Sequence, residues 1–337
     1  MAKISIITQH LLNNYGGLLQ NYALQRVLEK LGHETVTIDY MRTIAPKTFK
    51  QYLVSWAKSF ICLFIPWKRR PFERHNYRGK RLYWSNEFVS RWIKIKNRCY
   101  RYKVDMLDGS DIVIVGSDQV WRPKYNYRIE DMFLKFAEKM PIKRIAYAAS
   151  FGVDDWEYTP KQTKACSVLV KKFDAISVRE ESGVKLCKEH LGVDATWVLD
   201  PTLLLDKEDY CEVCKDVPVA HDKILVAYVL DNNKDIRLLC ESIAAERGLT
   251  LKFFGAGTDT NFTVPEWLAM FRDASYIVTD SFHGTVFSII FGKDFKCLYN
   301  KSRGSARFDS LLKLYESGKL EMMREFSLNW LRNALKE

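Results

Sequence analysis

Three consecutive segments at the start of the chain constrain its fold more than anything else in it. "KISIIT" (3–8) is a short apolar run of the kind that forms a buried strand. "GGLLQNYALQRVLEKLG" (16–32) places Leu19, Tyr22, Ala23, Val27, Leu28 and Leu31 at helical spacing and stops at Gly32. "ETVTIDY" (34–40) is a second strand. A strand, a helix and a strand joined this tightly call for a parallel sheet with a right-handed crossover.

The alternation continues beyond residue 110. "DIVIVGS" (111–117), "RIAYAAS" (144–150), "FDAISVRE" (173–180) and "ATWVLDPT" (195–202) read as strands, with helices near 158–171 and 181–191. The polar stretch 206–222 marks a boundary. A second series follows, with strands at 223–230, 249–255, 275–280 and 295–299, helices at 233–247, 264–273 and 284–291, and amphipathic helices over 305–336. A chain of 337 residues exceeds one ordinary core. The expected organisation is an α/β domain over 1–205, interrupted by a basic helical insertion at about 42–105, and a second over 206–337, the two facing a cleft. Ligands of such sheets bind at the C-terminal ends of the strands.

Charge is distributed unevenly. Residues 42–103 hold 17 Lys/Arg against 2 Asp/Glu, so a net charge of +11 for the whole chain leaves the remainder slightly acidic. "WAKSFICLFIPWKRRPFERHNYRGKR" (56–81) mixes a short apolar run, tryptophans and clustered cations, a composition suited to an anionic membrane surface. A solvated excursion covering a sheet edge is the plainer alternative, and no motif points to nucleic acid. No leader segment and no run of about 20 apolar residues is evident, so a cytoplasmic protein is expected. Eight cysteines lack regular spacing and read as reduced, buried thiols; Cys211 and Cys214 have no second pair with which to hold zinc.

Four loops at predicted strand ends carry chemistry. "NNYGGLLQ" (13–20) offers Gly16 and Gly17 at a helix start, a place that favours an anion, although a plain turn explains it equally. In "VGSDQVW" (115–121), Asp118 is either a base or sugar ligand, or a helix cap like Ser117. In "SVREES" (177–182), Arg179 ends a buried strand and needs an anionic partner: a ligand, or Glu180 or Glu181. In "TDSFHG" (279–284), Ser281 and His283 sit in a strand-to-helix turn where the dipole favours a neutral imidazole and a bound anion restores the charged form. The G-x-G of "KFFGAGTD" (252–259) is a weaker phosphate-cradling candidate. Neither the dinucleotide nor the P-loop fingerprint is present.

Taken together and in order, "NNYGGLLQNYALQRVLEKLGHETVTIDY", "VIVGSDQVW", "RIAYAASFG", "AISVREESG", "VLDPTLLL" and "VTDSFHGTVFSIIFG" resemble the polysaccharide pyruvyl transferase family of bacterial surface-glycan synthesis. The resemblance runs from about residue 3 to about 315, outside the basic insertion. It implies two Rossmann-like domains in a GT-B-like architecture and transfer of a pyruvyl group from phosphoenolpyruvate to a sugar diol as a cyclic ketal. By position, His283 falls on the family's essential histidine and Arg179 on an arginine attributed to donor binding. Several members carry an arginine where this chain has Ser281, so a donor clamp is expected from Arg179, Arg303 or Arg307.

The expected site therefore has His283 as acid and Asp118 as base. Arg179, Asn14, Gly16, Gly17, Ser281 and Arg307 are the donor-side candidates, and Tyr15, Ser117 and Gln119 the acceptor-side ones. No step asks for a metal or a cofactor beyond the phosphoenolpyruvate donor. The expected acceptor is a sugar or lipid-linked glycan, reached at the inner face of a membrane. A GT-B-type glycosyltransferase using a sugar nucleotide and a non-catalytic glycan-binding relative are the alternatives.

Overall fold

The computed structural model describes residues 1–41, 49–63, 83–220, 223–231, 233–255, 262–298 and 305–336. The first half runs β1 (Lys3–Ile7), α1 (Tyr15–Lys30), β2 (Glu34–Tyr40), α2 (Phe49–Leu63), α3 (Tyr83–Trp92), β3 (Ile95–Cys99), β4 (Ile112–Asp118), β5 (Lys143–Ala149), α4 (Pro160–Val170), β6 (Ala175–Val178), α5 (Glu181–Leu186), β7 (Thr196–Trp197) and α6 (Lys207–Val213). The second runs β8 (Ile224–Val229), α7 (Lys234–Arg247), β9 (Thr250–Gly255), α8 (Val264–Asp273), β10 (Tyr276–Thr279), α9 (Phe282–Ile290), β11 (Phe295–Cys297), α10 (Ala306–Glu316) and α11 (Leu320–Leu335).

Seven parallel strands form the first sheet in the order β3-β2-β1-β4-β5-β6-β7, and four form the second as β11-β10-β8-β9. Each is a Rossmann-like sheet whose strand order reverses once, between β1 and β4 in the first and between β8 and β10 in the second. The central strands are buried on both faces, as their near-continuous apolar runs require: all of Ile112–Asp118 and all of Ile224–Val229 are buried.

The structure departs from the sequence reading at three places. The basic segment is not purely helical, because its end supplies edge strand β3 beside β2. The expected strand at 195–202 is paired only at Thr196 and Trp197, since Asp200 caps a single turn that opens with Pro201. The boundary stretch contains helix α6, started by a reciprocal cap between Asp206 and Asp209. The C-terminal amphipathic helices are α10 and α11, which part at Gly318 with φ of 67°.

One core runs through both halves, from Ile4 and Tyr147 to Trp267 and Phe287. Tyr15 is stacked between Trp84 and Trp267, with ring centroids at 4.5 and 5.4 Å, and joins α1, α3 and α8. Helix α11 returns to the first sheet: Ser327 Oγ accepts from the Leu199 N–H at 2.9 Å, and Trp330 packs on Tyr147. Among the described residues the cysteines form no disulfide and are mostly buried, and no helix is long and apolar enough to cross a membrane.

Candidate active site

A cavity of about 500 Å³ lies between the halves, with the two strand-order reversals facing each other across it. Gln9 and His10 follow β1, Asp118 and Gln119 end β4, Leu230 follows β8, and Asp280 to His283 follow β10. Asn14, Gly17, Lys124, Tyr125, Arg307 and Phe308 complete the wall. These are the crevice positions at which open α/β sheets take ligands.

The turn before α9 is built by its own polar side chains. The Ser281 hydroxyl accepts from the Gly284 N–H at 3.3 Å, and the Ser281 N–H donates to Thr279 Oγ1 at 3.1 Å, making Ser281 the helix cap. Asp280 accepts from the N–H groups of Leu230 and Asp231 at 2.6 and 2.8 Å and so ties the ends of β10 and β8 together. His283 follows in the first turn, only 8% exposed. Its ring lies against Gly16, where a Cβ would stand 2.0 Å from Nδ1. Glycine at that position is a steric requirement of the histidine.

Beneath the histidine lies a buried charge cluster. Arg179, with a side chain that is 0% exposed, donates to Asp200 at 2.6 Å and to Asp118 at 2.7 Å. Asp200 also accepts from Ser117 Oγ at 3.2 Å and from the Thr202 N–H and hydroxyl at 3.1 and 2.7 Å. The Asp200 carboxylate stands 3.9 Å from His283 Nε2, beyond hydrogen-bond distance. Burial is the largest single effect on both carboxyls and pushes them up, but the Arg179 charge, lesser charges nearby and the hydrogen bonds they accept together outweigh it and hold Asp118 and Asp200 below the ordinary range. For His283 burial is the larger effect and keeps the imidazole below its usual value, with Asp200 and Asp118 only partly offsetting it.

Arg307, from the first turn of α10, contrasts with Arg179. It is 8% exposed, lines the cavity, and its Nε has no hydrogen-bond partner among the described residues. Burial, reinforced by the charge of Arg179, lowers its pKa to about 10. Arg179 and Arg307 both lie over the Phe282 ring, at 4.8 and 5.4 Å from its centroid.

The structure brings His283, Asp118, Ser281, Arg307, Asn14, Gly17 and Gln119 to the cavity wall. Arg179 and Ser117 are placed behind it, and the partners of Arg179 are Asp118 and Asp200, with Glu180 at a marginal 4.0 Å and Glu181 not among them. Gly16 supports His283 from outside the lining, and Tyr15 is a brace whose hydroxyl donates to the Phe262 carbonyl at 2.6 Å. Arg303 and most of the G-x-G loop lie outside the described residues. Asp200, Gln9, His10, Lys124 and Tyr125 were not anticipated as site residues. Asp200 alone left a signal, an acid closing the apolar run "WVL".

A sequence model of the polysaccharide pyruvyl transferases matches residues 14–302. The chain belongs to that family. No curated protein matches it in sequence. Among solved structures, it is similar to the UDP-GlcNAc 2-epimerase of Neisseria meningitidis bound to UDP-GlcNAc, at 11% identity and a TM-score of 0.50 over 99% of each chain. Methanocaldococcus jannaschii UDP-GlcNAc 2-epimerase is 14% identical over 87% of this chain and 83% of its own, with a TM-score of 0.45. A Rickettsia africae glycosyltransferase is 9% identical over 99% and 94%, also at 0.45. The likeness to the Neisseria enzyme is one of fold, and it agrees with the two facing Rossmann-like sheets in making this family member GT-B-like.

Proposed function

We propose that the chain transfers a pyruvyl group from phosphoenolpyruvate to two hydroxyls of a sugar, forming a cyclic ketal on a surface-polysaccharide precursor. The observation that carries this reading is the pairing, in one cavity, of a buried guanidinium and a buried imidazole whose Nε and Nε2 atoms have no hydrogen-bond partner among the described residues. A small donor bearing a phosphate and a carboxylate supplies the anions that these groups lack.

The chemistry follows from the donor. A proton is added to the terminal methylene, which becomes the methyl group, and the central carbon takes on cationic character. One sugar hydroxyl attacks that carbon and gives up its proton. A second hydroxyl then forms the other C–O bond as the bond to phosphate breaks, and its proton leaves with the departing inorganic phosphate. His283 is the acid, neutral at rest and charged once the anionic donor offsets the cost of its burial. Arg307 and the N–H groups at the start of α9 receive the donor's oxygens. Asp118, kept ionised by Arg179, faces the acceptor side and accepts a hydrogen bond or proton from a sugar hydroxyl.

Calorimetric titration with phosphoenolpyruvate beside a panel of sugar nucleotides tests the donor. Binding of phosphoenolpyruvate alone supports the proposal. Binding of a sugar nucleotide alone replaces it with a glycosyltransferase reading.

A further inference from the structure

A run of aromatic side chains leads out of the cavity along the loop between β4 and β5. Tyr125 lines the cavity and also a second, smaller recess of about 10 Å³, which it shares with Tyr102, Tyr127, Arg128 and Asp131. The loop is held from within. Arg122 donates to the Glu157 carboxylate through two bonds of 2.9 Å and to Gln119 Oε1 at 3.0 Å, and its guanidinium lies over the Tyr125 ring at 5.2 Å. Asn126 Nδ2 donates to the Val120 carbonyl at 2.7 Å. The backbone that carries the rings is thus set before any ligand arrives, which spares a ligand the cost of ordering it.

These rings are open to water. Tyr125 is 39% and Tyr127 59% exposed, and the Tyr127 side chain has no ring or hydrogen-bond partner among the described residues. Tyr102 is buried, stacks on Tyr40 and Phe136 with centroids at 4.8 and 5.2 Å, and has a hydroxyl without a hydrogen-bond partner among the described residues. A buried polar group left in that state calls for a ligand or a water. Exposed rings beside a cation, a carboxylate and an unpartnered hydroxyl match a pyranose, which has an apolar C–H face and an edge of hydroxyls that both donate and accept. A nucleotide also stacks on such rings, but it brings phosphates, for which the recess offers Arg128 and the opposing charge of Asp131. A neutral sugar uses both.

We infer that the acceptor is a glycan of more than one sugar: the reacting sugar occupies the cavity, and the next lies on the shelf formed by Tyr125 and Tyr127, with its hydroxyls toward Arg128, Asp131 and Tyr102. That the bound sugar is an acceptor rests on the ketal-forming reading; its stacking on the shelf does not. The test is calorimetric titration of the full chain, without donor, using the methyl glycosides of glucose, galactose, mannose and N-acetylglucosamine beside the β-1,4-linked trisaccharide of each. At least one trisaccharide should bind more tightly than its methyl glycoside by about three- to tenfold, the worth of one stacked ring. In Tyr127→Ala that gain should vanish, while the methyl glycoside and phosphoenolpyruvate bind as they do to the parent chain, which also reports that the variant folds. No gain with length for any of the four sugars overturns the proposal, as does a gain that Tyr127→Ala retains. So does binding of UDP that Tyr127→Ala weakens, since the shelf then belongs to a nucleotide base. Failure here leaves the phosphoenolpyruvate titration of the parent chain unaffected.

Discussion

The ring of His283 rests on the backbone of Gly16, so closely that a single added methyl would stand 2.0 Å from Nδ1. The first helix of one half thereby sets the position of a side chain that belongs to the other. Gly16→Ala should displace the imidazole, lowering turnover by at least about tenfold, and should cost roughly 1–3 kcal/mol of stability through overpacking. Removing the ring removes the conflict, so in a His283→Ala background the same substitution should change stability little. A double-mutant cycle by denaturant unfolding reads this coupling, and simple additivity would refute the contact.

His283→Gln should reduce turnover by about 10²–10⁴-fold while leaving the melting temperature at neutral pH near that of the parent chain. Turnover measured as phosphate release with a diol acceptor checks it. A variant of near-normal rate removes His283 from the acid role.

The two arginines should separate cleanly. Arg307 has its pKa lowered to about 10 by burial and by Arg179, and it pairs with no carboxylate among the described residues. Arg307→Gln should weaken phosphoenolpyruvate binding by about 10- to 100-fold and leave stability unchanged or slightly raised. Arg179 pairs with both Asp118 and Asp200 in a buried cluster, and Arg179→Ala should cost about 3–5 kcal/mol. Calorimetry on the first and unfolding on the second provide the comparison. Equal loss of donor affinity without loss of stability in both would reverse the assignment.

Protonation gives a further handle. Burial keeps the folded-state pKa of His283 below its ordinary 6.5, so between these two values the unfolded chain binds more protons than the folded one. The histidine's contribution to stability is therefore neutral above pH 6.5 and turns unfavourable as the pH falls below it. The melting temperature of His283→Gln should fall less steeply than that of the parent chain over that interval. Donor binding should in turn take up about one proton, read from binding heats in buffers of different ionisation enthalpy. Binding with no proton uptake would mean that the imidazole stays neutral in the complex.

Much of the scaffold was legible in the chain because periodicity reports burial. The runs at 3–8, 111–117 and 223–230 are strands buried on both faces, 34–40 is a largely buried strand beside them, and α1 carries its apolar residues at helical spacing. Strand β3 was hidden because it is an edge: "IKNRC" alternates charge with only modest apolar content, and even Ile95 is 41% exposed. At the site, His283, Asp118 and Ser281 could be named because loops at strand ends are where chemistry collects, and Arg307 as one of the arginines that could replace the one several family members carry at the position of Ser281. Asp200 could not be given a role, since its partners Arg179 and Ser117 lie 21 and 83 residues away, and pairing at such range leaves no local pattern. The same holds for Arg179, whose actual partners across β4 and β7 replaced the neighbours that the sequence offered.

Helix α11 crosses back to the first half alongside the crossing made near residue 205, and Arg324 bonds both the Leu204 carbonyl and the Asp206 carboxylate there. The chain thus passes between the halves twice, and Arg324 ties the two passages to each other, so that any change in the separation of the halves has to move both at once.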